Sequence, residues 1–550
     1  MNRLLMRQEL TPLLASPVTN PHAIPNVAPV PSTAHVALVG AGPGDPGLLT
    51  LRGKQLLDQA QVVVYDYLAN PQLLQFCPAA EKIYVGKKAA HHSMTQDDIN
   101  ALLVRLGTQG KRVVRLKGGD PYVFGRGGEE GESLHAAGIP FEVVPGITAA
   151  IGGIAFAGLP VTHRDYNSSF TLITGHEKEQ EYKESEALAR DAAGGGPATG
   201  SSDVDWSALA RLPCLAFYMG AKALPRITQK LIAAGMSPDT PAATVQWAST
   251  PKQKTAVGTL ATIVAKVADA GIGAPAITLV GKVVTMRDKL NWFEQRPLFG
   301  KTVVVTRTRQ QISDLSNLLA AQGARVIEAP TIEIAPPSDF AEVDRALKSA
   351  AGYDWILFTS ANGVLHARDR LQHLKLDARA LGNARIAAVG PTTADAVRSL
   401  LFRNVDLCPE VTTGDALATA LIKLGEVYSQ RFLLLRADIA RPELRDRLIS
   451  GGAGEVLDIS IYETRPAAAL PPELLEALDN RDVDWITFTS SSTAKNFVSL
   501  LGDRAKDLLT GVKLASIGPV TTSTLTTLGF PPQAEATDAS LDKLVAALSS

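Results

Sequence analysis

VALVGAGPGDPGLLTLRG, residues 36–53, is the most informative segment of this 550-residue chain. An apolar run, Val36 to Val39, predicts a buried strand, and the residues from Leu48 onward predict a helix, so a glycine-rich turn lies between them. In a nicotinamide-binding G-x-G-x-x-G loop the third glycine would occupy the place of Asp45. Because a diphosphate would meet a carboxylate there, the loop favours a cofactor other than a dinucleotide.

Length and composition indicate a globular protein of several domains. A chain of 550 residues exceeds what one core usually holds, and 45% hydrophobic and 20% charged residues are typical of globular chains. The formal net charge of -1 gives no general basic field, so no nucleic acid partner is expected and anionic ligands would need local cations. The longest weakly polar stretch, residues 145–161, is too short to cross a bilayer, so no membrane association is expected.

Cysteine usage and the N-terminus bear on the cellular compartment. Cys77, Cys214 and Cys408 are far apart and lack CxxC or Cys/His spacing, so we expect free thiols in the cytoplasm and neither a disulfide nor a metal site. Residues 1–33 lack the apolar core of a signal peptide and are rich in Pro, Ala and Asn. They are expected to form a disordered extension, with an organelle-targeting role left open.

Strand-like and helical patterns alternate along the rest of the chain, which predicts an α/β fold. One such region runs from His35 to about Gly281, interrupted by a Gly-, Ser- and Ala-rich stretch, Ala192 to Asp203, expected to be a flexible surface insertion. A second begins after Pro297. The expected domains are therefore residues 34–296 and 297–550, preceded by the extension.

The second region repeats itself. Three landmarks recur, namely Lys301 and Arg431 beside apolar strands, Asp354 and Asp484 before FTS turns, and Gly390 and Gly518 in GP turns. Their offsets of 130, 130 and 128 residues predict two similar α/β lobes of roughly 130 residues each. Because Thr308 to Ala329 already contains a helix and a second strand before any crossover, the lobes could be interleaved. A ligand would lie in the cleft between them.

A second glycine loop supports a ligand site in the first region. VVRLKGGDPYVFGRGGEE, residues 113–130, follows an apolar strand and is followed in turn by the PGITAA turn, residues 145–150. Ligands of α/β sheets bind at the carboxyl ends of strands. A tight turn would explain one such loop, but two glycine-and-aspartate loops favour a composite pocket for a compact cofactor with charged and apolar parts.

These motifs carry a resemblance. Residues from His35 to about Phe293 resemble the S-adenosylmethionine-dependent uroporphyrinogen-III C-methyltransferases, of the tetrapyrrole methylase fold, through GAGPGDPGLLTLRG, VVYD, YVGKK, VVRLKGGDPYVFGRGGEE, VVPGITAAIGGIAFAGLPVTHRDY, TGH, AFYMG and PAITLVGKVV. The resemblance implies two α/β lobes with the cofactor in the cleft between them, a homodimer formed through this half, and successive methylation of two adjacent pyrrole rings to give precorrin-2.

The resemblance also implies site residues. Matched by motif, the S-adenosylmethionine site would be lined by Pro43, Gly118, Gly119, Asp120, Val123, Thr148, Ala149, Met219 and Ala248. The match at Ala248 is weaker, because PAATVQWAST departs from the usual family residues. An aspartate can hold a cationic or hydroxyl-bearing part of the cofactor, and a methionine offers an apolar wall to adenine. Methyl transfer needs placement and loss of a proton, and no metal.

Catalytic and substrate-binding residues follow in the same way. Asp66 in VVYD matches the family's proton acceptor and Lys87 in VGKK its proton donor, although Asp66 could instead cap a turn and Lys87 could be solvated. A carboxylate-rich substrate needs cations. The local supply is Arg115, Lys117, Arg126, His163 and Arg164, each of which could singly be a surface ion pair.

The region from Leu298 resembles uroporphyrinogen-III synthase, through VVVTR, FTSANG, VGPTT, LLLRAD, ISIYETRP, FTSSST and IGP in that order. The resemblance implies closure of hydroxymethylbilane to uroporphyrinogen III with inversion of ring D and without a cofactor. Tyr462 corresponds to the tyrosine proposed to assist departure of the terminal hydroxyl, and an ordinary strand tyrosine is the alternative. Carboxylate arms could be bound by Ser360, Asn362, Thr392, Ser490, Ser491 and Thr521, with Arg307 and Arg436 adding charge.

Together the two halves predict a fused bifunctional enzyme whose C-terminal half makes uroporphyrinogen III and whose N-terminal half methylates it, for sirohaem or cobalamin synthesis. An alternative keeps the methyltransferase and makes the C-terminal half a tetrapyrrole-binding module without catalysis. A Rossmann oxidoreductase is disfavoured by Asp45 and by the lack of a second acidic ribose motif.

Overall fold

The computed structural model describes residues 35–86, 94–175, 204–307 and 309–549, without the side chains of 309–313. The chain divides into two compact units, Met1–Trp292 and Phe293–Ser550. The expected extension of residues 1–33, Lys87 and the expected insertion Ala192 to Asp203 lie outside the described residues. Both units are built of alternating strands and helices, which confirms the predicted α/β class.

The first lobe of the N-terminal unit is a parallel five-stranded sheet. Its strands are β1 (Val36–Gly40), β2 (Val62–Tyr65), β3 (Glu81–Tyr84), β4 (Val113–Lys117) and β5 (Phe141–Val144). They lie in the order β3-β2-β4-β1-β5, with helices Leu51–Gln59, Gln96–Thr108 and Gly127–Ala136. β1 and β4 are buried along their whole length, as central strands of parallel sheets usually are. The carboxyl ends of β1, β2 and β4 meet at one edge, where the glycine loops begin.

The first glycine loop contains a tight turn before its helix. Asp45 Oδ1 accepts a hydrogen bond from Gly47 N at 2.7 Å and caps the short 3-10 turn Pro46–Leu48. Thr50 then accepts from Gly53 N at 3.1 Å, so the helix begins at Leu51 and not at Leu48. Asp45 therefore stabilises the turn at the place where a dinucleotide loop would carry glycine.

The second lobe of this unit is a mixed sheet. Its strands are β6 (Thr171–Thr174), β7 (Cys214–Tyr218), β8 (Pro241–Gln246), β9 (Lys254–Thr259) and β10 (Ala276–Gly281). They lie in the order β6-β7-β10-β8-β9. The helices are Ala149–Gly153, a π turn continued by Ile154–Phe156, and Trp206–Leu209, Leu224–Ala233, Ile263–Asp269 and Arg287–Leu290. Ala150 and Ile154 of segment 149–156 are buried in the core together with residues of β8 and β10.

The C-terminal unit has two five-stranded sheets. The strands are β11 (Thr302–Val305), β12 (Arg325–Glu328), β13 (Ile332–Ala335), β14 (Trp355–Phe358), β15 (Arg385–Ala388), β16 (Arg431–Ala437), β17 (Glu455–Pro466), β18 (Trp485–Phe488), β19 (Lys513–Ser516) and β20 (Ala534–Glu535). The sheet orders are β12-β11-β18-β19-β20 and β13-β17-β16-β14-β15. The α-helices are Arg309–Ala321, Ala341–Lys348, Ala361–His373, Pro391–Ala396, Gly414–Lys423, Glu443–Ser450, Pro472–Asp479, Ser491–Leu501, Ala505–Leu508, Pro519–Thr527 and Leu541–Ser549.

The sequence repeat does not coincide with these lobes. By the 130-residue offset, β11 corresponds to β16 and β14 corresponds to β18. In the structure, however, β11 pairs with β18, and β14 pairs with β16. Each lobe therefore combines strands from both copies of the repeat. One lobe is the continuous segment 331–466, and the other is assembled from the chain on either side of it.

A short antiparallel ribbon connects the two lobes. β13 pairs with the last residues of β17, and Ile334 lies opposite Thr464. These two residues are also equivalent in the repeat, because 464 − 334 = 130. When two equivalent residues face each other in an antiparallel pair, a local two-fold axis passes between them. The two copies of the repeat are therefore related by an approximate two-fold rotation about an axis through this ribbon.

Candidate active sites

The two glycine loops of the N-terminal unit are in direct contact. Gly42 N donates to Gly119 O at 3.2 Å, and Gly119 N donates to Gly42 O at 2.8 Å. Ala41 N donates to Lys117 O at 2.7 Å, which continues the pairing back to the ends of β1 and β4. The loops after two neighbouring strands therefore form one backbone platform.

A third loop closes this platform. A Cβ on Gly40 would lie 2.5 Å from Gly146 N and 2.7 Å from Gly119 O, so the loops after β1, β4 and β5 pack too closely for side chains. In front of Gly119, with φ +66°, a Cβ would meet nothing nearer than 3.7 Å. A glycine-lined cradle with open space in front of it fits a compact cofactor that is bound through backbone groups.

Asp120 ties the same loops together. Its Oδ1 accepts from Tyr122 N at 2.8 Å and its Oδ2 accepts from Gly146 N at 2.9 Å. Val123 is half-buried in the turn that follows, where Val123 N donates to Asp120 O at 3.4 Å. Each carboxylate oxygen can accept more than one hydrogen bond. Asp120 is therefore a structural clamp with capacity left for a ligand.

The end of β7 contacts the third loop of the cradle. Met219, with φ +53°, follows β7 and is 55% exposed. The Tyr218 hydroxyl lies 2.6 Å from Thr148 Oγ1 and accepts from Ala150 N at 2.9 Å, while its ring packs on Phe124 with centroids 4.9 Å apart. Burial raises the pKa of Tyr218, so its hydroxyl keeps its proton. These contacts join the PGITAA turn, Ala149 included, to the end of β7.

Pro43 and Ala248 are brought together from opposite lobes. A Cβ on Gly153 would lie 2.7 Å from Ala248 Cβ and 3.9 Å from Pro43 Cβ. The backbone adds a link, because Asp45 N donates to Ser249 Oγ at 3.1 Å. These contacts bring Pro43, Thr148 and Ala248 close to the loops that carry Gly118, Gly119 and Asp120. Val123, Ala149 and Met219 are placed only by their neighbours in the chain, Asp120, Thr148 and Tyr218, and the role of all nine residues in cofactor binding stays a prediction.

Asp66 lies at the end of β2. Its Oδ2 accepts from Arg115 Nη2 at 3.0 Å and its Oδ1 from Leu68 N at 3.1 Å, while 22% of the side chain stays exposed. The carboxylate thus caps the following turn, which was the alternative role, and still reaches solvent. Its expected partner, Lys87, is outside the described part of the chain.

Arg115 and Lys117 require a correction. Both residues are only 3% exposed, and their side chains donate to Glu130 Oε1 at 3.1 and 2.8 Å. Arg115 and Lys117 lie on one face of β4, and Leu116 lies on the other. Helix Gly127–Ala136 brings the fully buried Glu130 to the face of the two cations. Burial lowers the pKa of Lys117, and Arg115 adds to this effect. The prediction that these two cations bind substrate carboxylates was therefore wrong, because both are buried and paired with Glu130.

The other three expected cations are accessible. Arg126, with φ +58°, pairs with Glu129 at 2.6 Å while 56% of its side chain is exposed, and this pair raises the pKa of Arg126. His163 Nδ1 accepts from Asp165 N at 3.2 Å, and Arg164 is exposed. These three residues are positioned on the surface, where a carboxylate-bearing substrate could reach them.

In the C-terminal unit, Tyr462 is enclosed by two neighbours. Its hydroxyl lies 3.0 Å from Ser360 Oγ, and its ring stacks on His366 with centroids 5.4 Å apart. Tyr462 is only 6% exposed, and burial raises the pKa of its phenol. Burial also lowers the pKa of His366, which keeps the imidazole neutral. The phenol is therefore a protonated hydrogen-bond donor.

The hydroxyls of the FTS turns cap helices. Ser360 Oγ accepts from Gly363 N at 3.0 Å and Ser490 Oγ from Thr493 N at 3.3 Å, at repeat-equivalent helix starts. Ser491 Oγ donates to Val520 O at 3.2 Å. Of the remaining predicted ligands, Thr521 is buried, Asn362 is half-buried and Thr392 is exposed. The structural role of capping is thus present whether or not these hydroxyls bind a ligand.

The two predicted arginines differ. Arg436 is 5% exposed, donates to both oxygens of Asp458 and reaches Arg441 O at 2.6 Å, so the prediction that it adds charge for substrate does not fit its pairing. Arg307 follows β11, and its Nε is buried without a hydrogen-bond partner in the ranges that the structure covers. Burial lowers the pKa of Arg307. An anion is the natural partner for such a donor.

Cys77 and Cys214 are buried and Cys408 is exposed, all as free thiols. Over residues 35–86, 94–175, 204–307 and 309–549 there is no cluster of three His, Cys, Asp or Glu side chains arranged to hold a metal. No helix within these ranges has the length and apolar character needed to cross a membrane.

Comparison with known proteins identifies both halves. Residues 35–264 match the family model of Tetrapyrrole (Corrin/Porphyrin) Methylases, and residues 313–546 match that of Uroporphyrinogen-III synthase HemD. The chain is 38% identical over 480 residues to "Porphyrin biosynthesis protein HemD" of Ruminiclostridium josui, covering 87% of this chain and 91% of that protein. It is 42% identical over 357 residues to "Uroporphyrinogen-III C-methyltransferase" of Bacillus subtilis, covering 64% and 69%.

Among solved structures, the crystal structure of uroporphyrin-III C-methyl transferase from Thermus thermophilus complexed with S-adenyl homocysteine shares 39% identity, with a TM-score of 0.36. That alignment covers 46% of this chain and 99% of the Thermus chain. The family matches confirm both resemblances seen in the sequence. The chain therefore belongs to the tetrapyrrole methylases through its N-terminal half and to the uroporphyrinogen-III synthases through its C-terminal half.

Proposed function

We propose that the protein is a bifunctional enzyme of tetrapyrrole biosynthesis. Residues 297–550 close hydroxymethylbilane to uroporphyrinogen III, and residues 34–296 methylate that product twice to give precorrin-2, a precursor for sirohaem or cobalamin. The observation that carries the proposal is the cradle of three glycine loops, which Asp120 ties together and whose Gly118 packs against Leu68, the residue whose backbone N–H donates to Asp66. We further propose a cytoplasmic homodimer formed through the methyltransferase half.

S-adenosylmethionine supplies the methyl group in this proposal. Backbone groups of Gly118 and Ala149 would hold its polar parts, Gly119 would leave open space for it, and Met219 would pack against the adenine. Asp120 keeps the cradle closed through Tyr122 N and Gly146 N. Because these groups are fixed before any ligand binds, little ordering is needed when the cofactor enters the cradle.

Asp66 is the proposed proton acceptor. The reacting pyrrole ring must lose a proton after its new C–C bond forms, and an ionised carboxylate within reach can take it. Arg115 orients this carboxylate, because its Nη2 donates to Asp66 Oδ2 at 3.0 Å. The exposed Arg126 and Arg164 and the half-buried His163 would hold the acidic arms of the substrate. Lys87 is retained as the proposed proton donor on the basis of its motif.

Tyr462 is the proposed catalytic group of the C-terminal half. Its protonated phenol can donate to the departing hydroxyl of hydroxymethylbilane, which leaves as water while the ring closes, and no cofactor is required. Ser360 fixes the direction of the phenol. Arg307 and the exposed Thr392 would contact carboxylate arms. The second candidate function, a binding module without catalysis, is favoured by the use of Ser360, Ser490 and Arg436 in internal contacts.

One incubation tests both activities. The full chain is mixed with hydroxymethylbilane and methyl-labelled S-adenosylmethionine, and the products are separated by isomer and analysed by mass spectrometry. We expect a type III tetrapyrrole that carries two labelled methyl groups. Labelled product from added uroporphyrinogen III, with only the spontaneous type I isomer from hydroxymethylbilane, would support the binding module instead. Absence of any labelled tetrapyrrole from either substrate would refute the methyltransferase assignment.

A further inference from the structure

The carboxylate of Glu130 is fully buried and is linked to Asp66 through Arg115. Glu130, in helix Gly127–Ala136, has an exposed fraction of 0% and does not reach solvent. Burying a carboxylate is costly in free energy unless its charge is compensated and its oxygens are hydrogen-bonded. The partners of Glu130 therefore show what this residue organises.

Three side chains converge on one oxygen of Glu130. Oε1 accepts from Lys117 Nζ at 2.8 Å, from Arg115 Nε at 3.1 Å and from Gln96 Nε2 at 3.3 Å. Oε2 is buried and has no hydrogen-bond partner within the described ranges. Since most of the contacts of Glu130 are made by one oxygen and two cations, its carboxylate serves mainly as an anchor for Arg115 and Lys117.

Arg115 connects this anchor to Asp66. Its Nε is bound to Glu130, its Nη1 donates to Leu116 O at 3.1 Å, and its Nη2 donates to Asp66 Oδ2 at 3.0 Å. A guanidinium is planar and rigid, so fixing Nε fixes the direction in which Nη2 points. Without Glu130, Arg115 would lose the hydrogen bond that fixes Nε and keep only those of Nη1 and Nη2. Glu130 thus determines how the guanidinium meets Asp66.

We propose that Glu130 is a positioning residue for Asp66 and acts through Arg115. It fixes the guanidinium, and the guanidinium fixes the carboxylate that accepts the proton in the proposed methyl transfer, on which this inference rests. Lys117 completes the group, because two cations balance the two carboxylates of Glu130 and Asp66. A role in stability alone would leave the turnover number of folded protein unchanged.

The test is a double-mutant cycle in the full chain. Methyl transfer to uroporphyrinogen III is measured for Glu130→Gln, for Asp66→Asn and for the double variant, with Glu132→Gln as a control on the exposed side of the same helix. We expect Glu130→Gln to lower kcat by about 10-fold or more, since small misplacements of a reacting group are costly. KM, and the Kd for S-adenosylhomocysteine measured by calorimetry, should stay unchanged.

The coupling between the effects of Glu130→Gln and Asp66→Asn on kcat distinguishes positioning of Asp66 from a general effect on the enzyme. In the Asp66→Asn background, Glu130→Gln should change kcat by less than about 2-fold, because the residue it positions is already lost. Glu132→Gln should match the unaltered protein throughout. A folded Glu130→Gln variant with unaltered kcat, or effects of the two substitutions that multiply fully, would overturn the inference.

A charge-balanced variant covers the case in which Glu130→Gln does not fold. Combining it with Lys117→Met removes one buried charge of each sign and leaves the Arg115–Asp66 pair neutral. This variant should fold and still show the lowered kcat, and full activity in it would contradict the inference. Lack of methyl transfer by the unaltered protein is a different outcome, because it refutes the proposed function and removes the reaction on which the inference depends.

Discussion

At the scale of single residues, Tyr462 combines burial with one directed hydrogen bond. Replacing it with phenylalanine keeps the stacking on His366 but removes the hydroxyl that lies 3.0 Å from Ser360 Oγ. We expect Tyr462→Phe to lower the rate of type III ring closure by about 100-fold, a typical contribution of a general acid. The measurement is separation of type I and type III isomers formed from hydroxymethylbilane.

Tyr353→Phe is the matched control, because Tyr353 is a buried tyrosine of the same lobe whose hydroxyl meets Glu455 at 3.4 Å, in a contact unrelated to Ser360. It should form type III product at the unaltered rate. The sign of the pH effect follows from the raised pKa of Tyr462: the protonated form acts, so activity should persist up to a pH above the usual tyrosine value of about 10. A Tyr462→Phe variant that still makes type III product at the full rate would leave Tyr462 without a catalytic role.

The sequence predicts site residues from local motifs, but it does not predict the partners of charged side chains. The glycines, Asp120 and Met219 could be proposed for the cofactor site because their motifs are local in the chain. Arg115 and Lys117 were expected to contact substrate, yet both pair with Glu130. A strand segment such as VVRLK does not reveal which face a helix will cover. The presence of an acid in the GRGGEE helix start was the available signal, but the pairing depends on the packing of that helix.

At the scale of structural elements, the loops after β1, β4 and β5 depend on the absence of side chains. Gly146→Ala would place a Cβ against Gly119 O and 2.6 Å from Gly40 Cα, all of them backbone atoms that cannot yield without moving a loop. We expect this substitution to destabilise the protein by about 1–3 kcal/mol, as overpacking does, and to weaken binding of S-adenosylhomocysteine. Thermal unfolding and calorimetric titration measure the two effects.

Gly128 provides the comparison for this substitution. It lies in helix Gly127–Ala136, where an added Cβ would meet nothing within 4 Å. Alanine is favoured over glycine in helices by up to about 1 kcal/mol, so Gly128→Ala should leave stability equal or slightly higher and ligand affinity unchanged. Equal ligand affinity in the Gly146→Ala and Gly128→Ala variants would show that close loop packing is not needed for the cradle.

At the scale of the whole molecule, the repeat after Pro297 was visible in the sequence, but the exchange of strands between its copies was not. Sequence similarity reports that β11 resembles β16 and that β14 resembles β18. It does not report which of them are neighbours, because strand pairing is set by crossover connections and by sheet packing. The early helix and second strand in Thr308 to Ala329 suggested interleaving, and the sheet order shows how the copies are divided.

Because each sheet contains strands from both copies of the repeat, we predict that a lobe can fold alone and that a single copy cannot. Segment 331–466 contains all five strands of one sheet, β13 to β17, and the core that surrounds Tyr462. Segment 301–430 has nearly the same length and is one copy of the repeat, but it holds strands from both sheets and completes neither. We expect 331–466 to unfold cooperatively in urea and to give dispersed amide resonances, since its core is complete.

Segment 301–430 should lack both properties, because its exposed strand edges and unpaired apolar faces have no partners within it. Adding the second copy, 431–550, should restore dispersed resonances, since the missing strands of both sheets are then supplied. Cooperative folding of 301–430 alone would mean that each copy can close a sheet without exchange. In that case the continuous sequence repeat, and not the lobe, would be the folding unit of this half of the chain.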